Sequence, residues 1–148
     1  MNLKTFAALA ACGLATTLPM IAAEPSAAPL VYELRTYYAA EGKLDALHAR
    51  FRDHTTKLFE KHGMKNVGYW VPVENPDGRL IYFLAHASRD AARKSWDAFR
   101  VDPEWIRVKS ASEVNGTLVS KIESVFLSPT DYSPVVRSEA ASPARVFE

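Results

Sequence analysis

The sequence predicts one α+β domain with elements in the order βαββαβ, in which a four-stranded antiparallel sheet carries both helices on one face. Three observations support this prediction: four segments have strand-like apolar patterns, two segments between them have helical spacing, and turn residues separate them. The chain has 148 residues, 48% hydrophobic and 24% charged, as is typical of a globular protein. Because crossovers are right-handed, both helices lie on the same face, and we expect the ferredoxin-like arrangement.

The first strand is predicted at 31–38, where aromatic and β-branched residues are frequent. Alternation puts Glu33, Arg35 and Tyr37 on the same face. Neither face is purely apolar or purely polar. This mixture is expected where both faces of a sheet are covered and one covering contains a polar pocket.

The first helix is predicted at 42–62, where apolar residues recur with helical spacing. His54 falls in the apolar stripe between Phe51 and Leu58. Gly63 follows the helix at a position that favours a left-handed cap. The stripe is therefore expected to face the sheet and to carry His54 with it.

A hairpin is predicted next. The segment 64–74 alternates as a strand, and Pro72 favours an edge position because proline cannot donate to a ladder. The turn sequence NPDG at 75–78 leads into the nearly continuous apolar segment 79–87. The second strand of the hairpin is therefore expected at the centre of the sheet.

A second helical segment, which stops near Arg100 and then restarts, and a last strand complete the predicted domain. Ser88 is a good N-cap for a helix that ends near Arg100, and the pair Asp102-Pro103 begins another helix. The last strand is predicted at 117–127. Since helices cover only one face of the sheet, the apolar side chains of the other face predict a homodimer interface.

The N-terminal residues 1–23 have the layout of a secretory signal: Lys4, then an uncharged apolar stretch, then a polar segment. Cleavage is expected after Ala23, with Ala28 as an alternative. A transmembrane anchor and a lipoprotein signal at Cys12 are competing interpretations. Residues 24–29 are predicted to be a linker, and the protein is expected to be exported, to a periplasmic or extracellular location.

Charge and cysteine content argue against several kinds of protein and site. The formal net charge is +1, too balanced for a protein that binds nucleic acid by neutralising phosphates. Removal of the signal takes away Lys4 and Cys12, so the mature chain is expected to be neutral and without a disulfide. No membrane association is expected after that removal.

Six short segments carry a family resemblance. They are VYELRTY (31–37), GKL (42–44), FEKHGM (59–64), GYW (68–70), SWDAF (95–99) and DPEW (102–105). From about Val31 to Ser133 the chain resembles the NIPSNAP family. The resemblance implies a dimeric α+β barrel at 30–133, and vesicle, mitochondrial or protein-interaction roles for most members. It implies no catalytic residues, and an export signal departs from those intracellular roles.

Motifs for catalysis, cofactors and metals are missing from the sequence. It contains no glycine-rich phosphate loop, no Gly-x-Ser-x-Gly, no His-Glu-x-x-His and no cysteine pair. The six-residue spacing of His48 and His54 places them on different helix faces, so no metal site is expected there. His62, at a helix C-terminus, is expected to act as a cap. No cofactor is predicted.

A cleft between helices and sheet is the candidate site. It would gather His54, Arg35, Tyr37 and Trp96, and Trp70 is a further candidate for ligand contact. In an enzyme, His54 would be the general base and Arg35 would stabilise negative charge. In a binding protein, Arg35 would hold a carboxylate or a carbonyl group.

Each of these residues also has a structural interpretation. Cross-strand ion pairing would explain Glu33 and Arg35 on the first strand with Lys121 and Glu123 on the last. His54 would bond a backbone carbonyl. The tryptophans would belong to the core or the dimer interface.

Two hypotheses for function remain. The first is an exported homodimeric binding domain for a small apolar or carboxylate ligand, or for a protein partner. The alternative is an enzyme, because the wider superfamily that the chain resembles includes cofactor-independent monooxygenases and haem-degrading proteins. The sequence alone leaves open whether there is catalysis.

The C-terminal residues 134–148 have a linker-like composition, and their last three residues, VFE, echo VYE at 31–33. A linker followed by this echo suits the start of a second copy of the domain. We therefore predict that the chain is the first half of a tandem pair.

Overall fold

The structure, a computed structural model, describes residues 30–134. The predicted signal peptide, the linker at 24–29 and the predicted start of a second repeat after Pro134 lie outside the described residues. The elements are β1 (Val31–Ala39), α1 (Leu44–Arg50), a π-helical segment (Phe51–Thr55), α2 (Thr56–Lys61), β2 (Lys65–Trp70), β3 (Arg79–His86), α3 (Arg89–Arg100), α4 (Pro103–Ser112) and β4 (Val119–Leu127).

The four strands form one antiparallel sheet in the order β2-β3-β1-β4. The fold class predicted from the sequence is confirmed, with β2 at an edge and β3 in the interior. Opposite residues of an antiparallel pair lie on the same face of the sheet. Register therefore places Arg35 of β1 beside Tyr82 of β3 and Ser124 of β4 on the face that carries the helices.

The first predicted helix is interrupted by a turn of π-helix, which the sequence analysis did not foresee. In this segment the amide N–H of Thr56 donates to the carbonyl of Phe51, five residues earlier. The wider turn moves Thr55 into the buried stripe and leaves His54 exposed to solvent. The prediction that His54 faces the sheet is therefore wrong.

The core lies between the helices and the β3 side of the sheet. Its members are mostly aromatic and leucine side chains: Leu47, Phe51, Leu58, Phe59, Met64, Leu80, Tyr82, Leu84, Trp96, Phe99 and Leu118. Tyr82 stands at the centre, with ring centroids of Tyr37, Phe51 and Tyr69 between 5.2 and 5.3 Å away. Such edge-to-face and stacked packing favours a well-defined arrangement over a loosely filled core.

The predicted caps and turn are confirmed. The Ser88 hydroxyl accepts from the Ala91 amide at 3.0 Å, and Asp102 accepts from the Glu104 amide at 2.7 Å. Gly63 and Gly78 have φ angles of 75° and 60°, as left-handed turn positions require.

His62 ends α2, and its Nε2 atom lies 2.7 Å from the carboxylate of Asp102, the residue that caps α4. Lys61 lies 2.8 Å from the same carboxylate. Hydrogen bonds from Lys61 and His62 hold the pKa of Asp102 below its usual range. The end of α2 is thereby joined to the beginning of α4.

The sheet face opposite the helices carries exposed apolar side chains. Trp70 is 52% exposed and contacts the Phe83 ring at a centroid distance of 5.7 Å, while Val125 and Leu127 extend this surface along β4. Among residues 30–134, no helix is long and apolar enough to cross a membrane.

Candidate functional site

A cavity of about 490 Å³ lies between the helices and the half of the sheet formed by β1 and β4. Strand residues Arg35, Tyr37 and Ile122 form one side of it. Arg50 and Trp105, from α1 and α4, lie on the helical side. Its volume is in the range of sites that hold small organic molecules.

A buried carboxylate organises the strand side of this cavity. Glu33 is 1% exposed, and its two oxygens accept hydrogen bonds from four side chains. Arg35 Nη1 and Ser124 Oγ donate to Oε1 at 2.6 and 2.7 Å, and Trp96 Nε1 and His86 Nε2 donate to Oε2 at 2.7 and 3.1 Å. The carboxylate thus fixes the orientation of the cavity residues Arg35 and Trp96.

The environment of Glu33 keeps it ionised. Burial opposes ionisation, but the hydrogen bonds from His86, Ser124 and Trp96, with the positive charge of Arg35, outweigh it and lower the pKa of Glu33 from 4.5 to about 2. A buried charge of this kind is stable only when it is fully paired. Glu33 is therefore a structural anion at neutral pH.

The Arg35 guanidinium lies between aromatic rings. Its central carbon is 4.2 Å from the ring centroid of Trp96 and 5.5 Å from that of Tyr37, which is within the range of cation–π attraction. Within residues 30–134, its Nε atom is buried without a hydrogen-bond partner. The arrangement holds a nearly buried cation at the cavity wall.

A second buried guanidinium lies on the helical side. Arg50 Nη1 donates to Glu113 Oε1 at 2.8 Å and to Ser112 Oγ at 3.2 Å, at the end of α4. Its central carbon is 5.2 Å from the Trp105 ring. The Arg50 side chain is only 3% exposed, and its Nε atom also has no partner among the described residues.

The structure brings three of the five predicted site residues together. Arg35, Tyr37 and Trp96 line the cavity. His54 does not, because it is exposed on the outer side of the π-helical segment. Trp70 lies on the other face of the sheet, away from the cleft.

Cross-strand pairing of Glu33 and Arg35 with Lys121 and Glu123 is also wrong. β1 and β4 are neighbours as expected, but Lys121 and Glu123 lie on the opposite face and pair with each other at 2.6 Å. The partner of Arg35 is Glu33 on its own strand.

Sequence reasoning missed Arg50, Lys109 and Glu113 on the helical side of the cavity. Arg50 is three residues after Leu47 and therefore falls on the apolar stripe of the first helix, which is a signal that spacing offered. Lys109 and Glu113 are four residues apart and so share one face of α4. His86 had no comparable signal, because its contact with Glu33 depends on the pairing of two strands.

A second cavity, of about 410 Å³, adjoins the same Arg35 and Trp96 side chains on the α3 side. Glu33, Arg89 and Ser124 also line it. Among residues 30–134, no cluster of three or more histidine, cysteine or acidic side chains has the arrangement to hold a metal ion.

Comparison with known proteins gives the family. The family model described as NIPSNAP matches residues 32–134. No curated protein matches the chain.

Several solved structures share the fold. A NIPSNAP family protein of unknown function from Agrobacterium tumefaciens strain C58 has a TM-score of 0.63 at 22% identity, over 72% of this chain and 94% of that one. A second NIPSNAP family protein from that strain has a TM-score of 0.63 at 24% identity, over 72% and 98%. An uncharacterized NIPSNAP domain protein from Burkholderia xenovorans has a TM-score of 0.60 at 20% identity, over 70% and 98%. At these identities the likeness shows the fold, and the family match shows that this chain belongs to the NIPSNAP family.

Proposed function

We propose that this chain is a binding protein whose cleft takes a small organic anion, a carboxylate with an apolar or aromatic body. The observation that carries the proposal is the pairing of two largely buried guanidiniums, Arg35 and Arg50, with aromatic rings in one cavity of about 490 Å³. Sites for small molecules are built in this way, from an apolar wall and a few fixed polar groups.

The two arginines supply hydrogen-bond donors for the ligand. Each donates from Nη1 to a carboxylate, and its other terminal nitrogen, Nη2, makes no hydrogen bond within the described residues. Guanidinium binds carboxylates by charge-assisted hydrogen bonds, which are stronger than neutral ones. Ligand binding needs little rearrangement of the two arginine side chains, because Glu33 and Glu113 already hold them in place.

The aromatic wall supplies the preference for an apolar body. Phe99 contacts both indoles, with ring centroids 5.6 Å from Trp96 and 4.5 Å from Trp105. On the sheet side, Ile122 is 48% exposed and lines the same cavity. A ligand with a ring would cover this apolar surface and remove it from water.

Calorimetric titration with matched acids and amides tests the proposal. Benzoate, 4-hydroxyphenylacetate and indole-3-acetate are compared with their amides at pH 7. At least one acid should bind more tightly than its amide, and replacing the arginine that meets the acid group, by Arg35→Gln or Arg50→Gln, should weaken that acid by roughly tenfold to a hundredfold, the value of a hydrogen bond to a charged group.

Arg52→Gln is the matched control, because Arg52 is exposed on the outer side of the π-helical segment and lines neither cavity. It should leave the affinity unchanged. Weakening by Arg52→Gln as large as that by the cavity-arginine variants, or no difference between acids and amides, would contradict the proposal. Conversion of a bound acid to a new product during the titration would favour the enzymatic alternative.

We further propose that the protein is a homodimer joined through the sheet face opposite the helices. The support is the exposed apolar surface formed by Trp70, Val125 and Leu127, since patches of this kind commonly mark protein interfaces. Val125→Glu should convert a dimer to a monomer in sedimentation experiments. Val114→Glu, at another exposed valine, beyond the end of α4, should leave the dimer intact.

Export is a third part of the proposal, and it rests on the signal-like pattern of residues 1–23. Expression of the whole chain in a bacterium should yield a protein whose mass corresponds to a start at Glu24 or Pro29. A full-length cytoplasmic product would contradict export, and a lipid-modified start at Cys12 would favour the lipoprotein alternative.

A further inference from the structure

The cations that line the main cavity are not all neutralised. They belong to Arg35, Arg50, Arg100, Lys109 and Lys121, although the side chain of Lys121 lies on the opposite face of the sheet. Three of them have a carboxylate of their own, in the pairs Arg35 with Glu33, Arg100 with Asp97 and Lys121 with Glu123, at distances of 2.6, 2.8 and 2.6 Å. Arg50 and Lys109, the remaining two, have no carboxylate of their own.

Arg50 and Lys109 share the carboxylate of Glu113. Arg50 Nη1 lies 2.8 Å from Oε1, and Lys109 Nζ lies 3.9 Å from Oε2. Among residues 30–134, no other acidic side chain lies within salt-bridge distance of either cation. The helical side of the cavity therefore has one positive charge more than its carboxylates neutralise.

The strand side is balanced. Glu33 neutralises Arg35 and is itself saturated by four hydrogen bonds. A second anion placed at Arg35 would lie close to the buried charge of Glu33, and like charges at short range repel. A neutral acceptor, such as a carbonyl oxygen, would take hydrogen bonds from Arg35 without that cost.

We infer that the ligand has two unlike ends: its acid group lies against Arg50 and Lys109, and a neutral hydrogen-bond acceptor lies against Arg35. This inference rests on the proposed function and adds a ligand class, aromatic acids with a carbonyl group at the far end. The wall formed by Trp96, Phe99 and Trp105 joins the two ends and suits an aromatic ring between them.

Probes that separate the two ends test the orientation. 4-Acetylbenzoate, 4-acetylphenylacetate and 3-(4-acetylphenyl)propanoate present the same acetyl group with tethers of increasing length. For each, the amide removes the charge of the acid end, and the 4-isopropyl analogue removes the carbonyl oxygen. Binding to the wild-type chain is measured by calorimetry, and the best-bound tether is used for the variants.

In the wild-type chain, the acid should bind at least about tenfold more tightly than the amide. Lys109→Gln removes the unbalanced charge at a half-exposed side chain and should abolish most of that difference. Arg50→Gln should do the same, provided that circular dichroism shows it folded. Arg35→Gln should keep the preference for the acid and lose the preference for acetyl over isopropyl.

Glu113→Gln gives the opposite change, because it removes the anion that competes with the ligand. The acid should then bind more tightly than in the wild-type chain and should raise the melting temperature by a larger amount. Arg52→Gln remains the control for the loss of a positive charge elsewhere.

The outcomes separate this inference from the proposed function. If acids bind but the preference for acid over amide is lost in Arg35→Gln and kept in Lys109→Gln, the orientation is refuted while the proposed function stands. If no acid binds the wild-type chain, the proposed function fails, and the orientation fails with it.

Discussion

Replacing Glu33 by glutamine would remove one charge from the centre of the site at almost no change in volume. Arg35 and Ser124 donate to one carboxylate oxygen, and His86 and Trp96 donate to the other. An amide can accept at only one of these two positions, since the other becomes an NH₂ donor. Two donors would then face another donor, and the Arg35 charge would lose its buried partner.

The expected loss of stability is large. Removing one partner of a buried ion pair costs about 3–5 kcal/mol. The lowering of the Glu33 pKa from 4.5 to about 2 gives a similar value, because each pKa unit corresponds to about 1.4 kcal/mol and the shift amounts to about 3 kcal/mol. A domain of this size has only about 5–15 kcal/mol of stability. Glu33→Gln is therefore expected to be marginally stable.

Urea unfolding followed by tryptophan fluorescence measures this loss at pH 7. Glu74→Gln is the control, since Glu74 is exposed after the end of β2, and its effect should be within about 0.5 kcal/mol. A Glu33→Gln variant that is less than about 1 kcal/mol destabilised would refute the structural role of the carboxylate.

The pH dependence provides an independent check with a defined sign. The folded-state pKa of Glu33 lies below its unfolded value, so its contribution to stability is present above about pH 4.5 and is lost as the pH falls through about 2. The difference in unfolding free energy between the wild-type chain and Glu33→Gln should shrink over that window. A difference that is constant from pH 7 to pH 2 would contradict the assignment.

Three further substitutions test other parts of the fold. Ser88→Ala removes the side-chain acceptor at the N-terminus of α3 and should lower the unfolding free energy by about 1 kcal/mol in urea titrations. An unchanged unfolding free energy would contradict the role of Ser88 as a cap. Gly63→Ala forces a side chain into a backbone conformation with φ of 75° and should cost about 1 kcal/mol in the same assay, whereas an unchanged midpoint would show that the turn relaxes. Gly68→Ala places a methyl group where the Trp70 indole lies and should displace that ring. The dimer should then be weaker in sedimentation experiments, and an unchanged affinity would argue against Trp70 as an interface residue.

The fold was predictable because its signals are local. Ser88, Asp102-Pro103 and the NPDG turn specify helix starts and a chain reversal by their own backbone chemistry, and the structure has all three. The alternation of β1 likewise put Arg35 and Tyr37 on the correct face. Such features need no knowledge of distant residues.

The wrong and missing site predictions come from a change of helical register and from contacts between residues that are distant in the chain. Phe51 and Leu58 fit a continuous α-helix equally well, so nothing in their spacing shows that a π-helical turn exchanges His54 for Thr55 in the buried stripe. The cluster around Glu33 joins residues up to 91 positions apart in the chain. His86, Ser124 and Trp96 reach Glu33 only through the pairing of strands and the packing of α3 on the sheet, which sequence spacing does not encode.

The chain's three tryptophans allow one direct test of the central claim, that the cleft between the helices and the sheet binds a small organic anion. Trp96 and Trp105 line the cleft, and Trp70 lies on the opposite face of the sheet. Indole N–H resonances, assigned by single substitution to phenylalanine, are followed by NMR while the aromatic acids named above are added. The Trp96 and Trp105 signals should shift in a saturable manner while the Trp70 signal stays in place. A saturable shift of Trp70 alone, or no shift of any indole with any acid, would contradict the claim.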